Sequence, residues 1–211
     1  MDDEKIDVHG RSLKDILNTS GYLYQIPDYQ RPYSWNKENI SDLIEDLYST
    51  YKTSRDGDYF CGSIVIVENK EGKRYDVIDG QQRLTTFTIF LCVLRDFYSN
   101  NFDKKTCDAL QESIHDRYDE SVRRLRFRTD DKSENDYEQT VINKIEFKPD
   151  IKENQVESVY KDNKYLQNAW YLKYYLEHSE EKPENLDMNA FINFIFDKVL
   201  FTVIRSSDWR R

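Results

Sequence analysis

The run Asp79-Gly80-Gln81-Gln82-Arg83 joins a short apolar segment, Tyr75 to Ile78, to a longer and largely apolar one, Leu84 to Leu91. A strand that turns through glycine into a helix presents backbone N–H groups at the positive end of the helix dipole. Such a turn suits a phosphate or another anion. Arg83 adds a forked cation on the first helical turn, and Thr85 and Thr86 add hydroxyls close by. Asp79 and Gly80 also have a bland explanation, as helix cap and turn former. The adjacent glutamines do not, because a buried or half-buried amide needs specific partners.

Two further stretches carry polar groups in constrained settings. In Pro27-Asp-Tyr-Gln-Arg-Pro-Tyr-Ser-Trp35 the prolines predict a rigid extended loop, with Tyr29, Tyr33 and Trp35 as packing anchors. Gln30 and Arg31, fixed between the prolines, are placed to contact a ligand, and Arg31 is the second candidate for a phosphate. Cys61-Gly62-Ser63 falls inside a predicted strand, where glycine marks a bulge or a close approach, so Gly62 and Ser63 join the ligand-contacting candidates. Cys61 has apolar neighbours and no adjacent cation, which predicts a buried structural thiol.

The elements that must position these residues are legible from spacing. Ser12 to Leu17 reads as a short helix and Tyr22 to Ile26 as an extended run. Asn36 caps a helix with Ile40, Leu43, Ile44, Leu47 and Tyr51 on one face. Tyr59 to Glu68 and Arg74 to Ile78 read as a hairpin around Asn69-Lys-Glu-Gly-Lys73. The helix opened by the glutamines should reach Tyr98 and be buried, since Phe87 to Leu94 is apolar almost all round. Beyond it come a helix near Lys104 to Tyr118 and a strand near Arg123 to Arg128, with Leu125 and Phe127 inward and Arg124, Arg126 and Arg128 in solvent. Ser133 begins a short helix with a capping-box-like Asp136. One long helix covers Glu157 to His178, another Asn189 to Lys198, and a strand Val199 to Ile204 closes the chain. The expectation is one α+β domain over residues 1–211, with a helical lobe from about residue 100.

Bulk properties exclude several classes. The net charge of −9 over 211 residues argues against a protein that coats duplex DNA through a general basic face. Three cysteines without metal-ligand spacing, and an N-terminus lacking a secretory pattern, predict reduced thiols in the cytoplasm. No apolar run is long enough to cross a bilayer. His9, His115 and His178 are expected to be isolated and exposed, with no nuclease or zinc constellation. The P-loop pattern and the serine nucleophile elbow are also missing.

Three blocks, Ile26 to Trp35, Tyr59 to Val67 and Asp79-Gly-Gln-Gln-Arg83 with Leu-Thr-Thr after it, resemble in type and order the N-terminal domains of GmrSD-type, modification-dependent restriction systems. That family is similar to the ParB and sulfiredoxin fold, so the resemblance implies a small mixed sheet surrounded by helices. It also implies a nucleotide site at the turn. In those terms, backbone N–H groups of Gly80 to Gln82 cradle phosphates and Arg83 neutralises their charge. Asp79 holds Mg²⁺ directly or through water, and Gln81 or Gln82 positions the attacking water. Gln30, Arg31, Gly62, Ser63, Thr85 and Thr86 complete the expected nucleoside triphosphate site. Hydrolysis would regulate restriction of modified phage DNA. The chain ends at Trp209-Arg-Arg211, short of the His-containing nuclease domain usual in such systems, so cleavage is expected from a separate domain or subunit. Two other readings stay open. One is a non-catalytic nucleotide- or DNA-binding module, and the other is a ParB-like metal-dependent nuclease acting near Asp79.

Overall fold

A computed structural model describes residues 6–19, 22–69, 74–128 and 132–206. The strands are β1 Ile6–Ser12, β2 Tyr24–Ile26, β3 Tyr59–Glu68, β4 Tyr75–Asp79, β5 Leu125–Phe127 and β6 Val199–Ser206. The helices are α1 Leu13–Leu17, α2 Lys37–Thr53, α3 Gln81–Tyr98, α4 Lys104–Ile114, α5 Lys132–Tyr137, α6 Val156–Val159, α7 Lys164–His178 and α8 Met188–Lys198. Together they make an α+β fold around one six-stranded mixed sheet of order β1-β6-β3-β4-β2-β5. Within it, β6 runs parallel to β3 and antiparallel to β1, while β3 and β4 form the expected antiparallel hairpin. Residues 70–73 of the expected connection lie outside the described residues.

Helix α3 crosses the centre of the core, and every residue from Leu84 to Leu94 is buried. The apolar girdle leaves no face for water, so the helix is covered on all sides. Phe87 meets Phe201 of β6 edge-on, with ring centroids 5.8 Å apart. Burial of each such side chain stabilises the fold by about 1.5–3 kcal/mol. Asn36 caps α2 as expected, its side chain accepting from the Asn39 N–H.

Five expectations need correction. Strand β1, Ile6–Ser12, was not expected; it pairs along its whole length with β6. Arg124 points inward rather than to solvent and is 1% exposed. Its guanidinium donates to Glu112 O (2.8 Å), a carbonyl in the last turn of α4 beyond the reach of the helix ladder, and to Thr19 O (3.1 Å). The expected helix from Glu157 breaks between α6 and α7, because Asn163 turns out of helical geometry and caps Leu166 N–H. His115 is buried, its imidazole pushed down to about 4 by burial and by nearby Arg123. Helix α5 starts at Lys132, so Ser133 stands inside it rather than at its cap; the Ser133 side chain lies outside the described residues. Among the described residues no helix is long and apolar enough to cross a membrane.

Candidate functional site

Strand β4 ends at Asp79, and Gly80 makes the turn into α3. Gly80 has φ 85° and ψ 5°, a left-handed conformation, and a Cβ there would sit 2.8 Å from the carbonyl oxygen of Ser63. Asp79 does not cap the helix; Gly80 is the cap residue and no side chain bonds to the first turn. The first intrahelical bond runs from Leu84 N–H to Gly80 O, so the N–H groups of Gln81, Gln82 and Arg83 precede the ladder. The Asp79 carboxylate is exposed at the mouth of this turn.

The specific partners that the buried glutamines require are backbone groups of the Pro27–Trp35 loop. Gln81 Nε2 donates to Arg31 O (3.0 Å) and Gln82 Nε2 to Pro32 O (3.1 Å). Gln82 Oε1 accepts from the Ser34 N–H (2.8 Å), so that amide is engaged at both ends. Gln30 reaches back, donating from Nε2 to Ile78 O (2.9 Å). Behind the loop a relay runs from Asn168 Nδ2 to Tyr33 Oη (2.9 Å), on to Thr86 Oγ1 (2.7 Å) and then to Gln82 O (2.9 Å). Tyr33 also stacks on Tyr165 at 5.3 Å. Thr86 is therefore a core group closing this relay, and Thr85 is buried beside it. Neither hydroxyl lies open to a ligand, in contrast to the expectation. Tyr33→Phe should cost about 1 kcal/mol in urea unfolding, with the aromatic stack kept; an unchanged midpoint would remove the relay from the stabilising interactions.

Arg83 leaves this clamp and points the other way. Its guanidinium carbon lies 3.2 Å from where a Cβ of Gly62 would stand, so the missing side chain at Gly62 makes room for it. Gly62 sits at φ 98° within a register shift between Phe60 and Ser63, the bulge that a glycine inside a strand predicts. Arg83 forms no hydrogen bond or ion pair among the described residues, and it lines a cleft of about 410 Å³. The opposite wall is α2, with Asn39, Asp42 and Asp46, joined by Trp35 from the loop just before it, and the floor is Tyr59 and Cys61 of β3. Tyr59 donates to Asp46 Oδ2 at 3.1 Å. Gly62 and Arg83 thus come together in the cleft. Asp79, Gln81, Gln82, Gln30 and Arg31 belong to the loop side of the turn, with the Arg31 side chain exposed. Ser63 is half-buried and supplies the backbone on which Gly80 rests.

The α2 wall was missed in the sequence. Its signal was the spacing of Asn39, Asp42 and Asp46, which sets three polar groups along one helical stripe beside the apolar one. Cys61 is buried as expected, and burial pushes its thiol up to about 12 against the opposing pull of Arg83. At pH 8, alkylation of Cys61 in the folded protein should therefore run at least about a hundredfold slower than that of an ordinary exposed thiol. Mass spectrometry of labelled peptides measures it, and rapid labelling would contradict a closed thiol.

The family model for the GmrSD restriction endonuclease, N-terminal domain, matches residues 13–209. The chain belongs to that family. The GmrSD match takes in the clamped loop, the β3 bulge, the Asp79–Arg83 turn and the α2 wall. No curated protein matches the chain.

Proposed function

We propose that this GmrSD N-terminal domain binds a nucleoside triphosphate at the Asp79–Arg83 turn and hydrolyses it with Mg²⁺, and that turnover regulates restriction of modified DNA by a nuclease domain or subunit. The observation that carries this reading is the uncommitted guanidinium of Arg83. It stands at the first turn of α3, opening into a cleft, with no carboxylate bound to it among the described residues. Phosphate oxygens take the free N–H groups of the first turn and the Arg83 fork, while the exposed Arg31 stands on the loop side of the turn as a second cation for whatever part of the nucleotide reaches past the cleft. Asp42 and Asp46 face the same cleft, so a bare triphosphate meets repulsion that a bound Mg²⁺ offsets. No group of three metal-ligating side chains occurs among the described residues. In this reading Mg²⁺ enters with the phosphates, anchored by one carboxylate, Asp79, directly or through water. Because the Gln82 amide is engaged at both ends, positioning of the attacking water falls to Gln81.

Phosphate release across a panel of nucleotides, with Mg²⁺ and with chelator, tests the reading. Release that requires Mg²⁺ and falls in Asp79→Ala supports it. The commitment of Gln82 to the loop favours a second reading, in which nucleotide is bound as a switch and not turned over. Tight binding with no release by the wild type would select that one.

A further inference from the structure

The two edges of the sheet are treated differently. An edge strand offers unpaired N–H and C=O groups to any other strand, and proteins blunt such edges with short strands, like charges, proline or bulges. Strand β5 is blunted: it has three residues, and Arg126 and Arg128 are exposed on it and just beyond it. Strand β1 has neither the short length nor a stripe of one charge. It runs seven residues in unbroken register with β6, without proline, lysine or bulge, and its other side pairs with nothing among the described residues. Ile6 and Val8 on it are 67% and 55% exposed.

The order of residue types along β1 is self-complementary. Asp7 lies two residues before His9 and Arg11 two residues after it. In an antiparallel pairing of two β1 strands centred on His9, Asp7 stands opposite Arg11 of the second copy, and Arg11 opposite its Asp7. Val8 falls opposite Gly10, where even an added Cβ would meet nothing within 4 Å, so the larger side chain has room. Among the described residues the one ion pair of Asp7 is with His9 of its own strand, at 2.6 Å with both side chains about half exposed, while in register it stands beside Arg205 of β6. An exposed pair of this kind is readily exchanged for a cross-strand one.

We propose that two copies of this chain associate edge to edge through β1, antiparallel about a two-fold axis at His9, making one continuous sheet. The interface is isologous, as a closed dimer requires. Backbone bonds supply the pairing, and the two Asp7–Arg11 contacts fix its register. Strand β1 precedes the residues matched by the family, and the inference does not rest on the nucleotide reading.

Sedimentation velocity of the full chain, with circular dichroism to match folding, tests it. The wild type should show a concentration-dependent dimer. Asp7→Arg and Arg11→Asp each place like charges opposite one another, and each should raise the dimer dissociation constant about tenfold or more. Mixing the two single variants should restore association, because one strand then carries only positive and the other only negative charge. The double variant should behave as the wild type. A wild type that stays monomeric at every concentration, single variants that dimerise like it, or a mixture that stays monomeric overturns the proposal.

Discussion

Gly80→Ala should destabilise the protein by about 2–5 kcal/mol, among the largest effects of any single methyl group in the fold. Two costs combine. The left-handed backbone at φ 85° disfavours any side chain by about 1–2 kcal/mol. The added Cβ would also stand 2.8 Å from Ser63 O and 3.0 Å from Ile64 Cγ1. Ser63 cannot yield cheaply, since β3 is held by β6 at Ser63 and by β4 two residues later at Val65. Relief therefore has to shift the sheet or the start of α3. For a chain of this size the loss corresponds to a fall in melting temperature of roughly 5–15 °C. Gly10→Ala is the control, for it meets open space and should leave the melt nearly unchanged. Equal melts for both variants would mean that the turn is softer than its geometry.

Arg83→Ala should leave folding intact and lower Mg²⁺-dependent hydrolysis about a thousandfold. The first half follows from the side chain having no hydrogen bond or ion pair among the described residues, so its removal leaves no buried partner stranded. The second half follows from the role proposed for it, as the cation facing the transferred phosphate. Arg83→Lys should recover part of the loss, because it restores the charge and not the two-pronged donor. Gly62→Ala offers a test from the other side of the contact. Its Cβ would press within 3.2 Å of the guanidinium carbon and displace it without altering Arg83 itself. Undiminished hydrolysis in Arg83→Ala, with the wild type active, would remove Arg83 from the chemistry.

Local signals were read well from the sequence. Tyr59 to Glu68, Asn36 as a cap and the buried helix from Gln81 to Tyr98 all stand where spacing put them. What spacing could not show were features set by distant partners. Strand β1 contains Asp7, His9, Gly10 and Arg11, a weak strand pattern, and it is held by β6 nearly the whole chain away. Arg124 sits in an alternation that points it outward, yet the open carbonyl of Glu112 at the end of α4 draws it in. Asn163 reads as an ordinary helix residue until its cap is seen. The same limit applied to the site. Asp79 to Arg83 announced a turn for an anion, but which way each side chain faced depended on a loop 50 residues upstream and a bulge in β3.

Apart from the side chains of Gln30 and Tyr33, the hydrogen bonds that grip the loop from Pro27 to Trp35 fall on its main chain. Gln81 and Gln82 hold the carbonyls of Arg31 and Pro32 and the N–H of Ser34, while Asn168 holds the carbonyl of Trp35. Every residue type but proline carries an N–H, and all carry a carbonyl. The side chains of Asp28, Tyr29, Arg31 and Ser34 meanwhile stand exposed around the mouth of the turn. In the proposed reading, substitution at those positions changes what the mouth accepts while the frame that presents it stays in place. On that reading the clamp separates the evolution of ligand choice from the evolution of the fold.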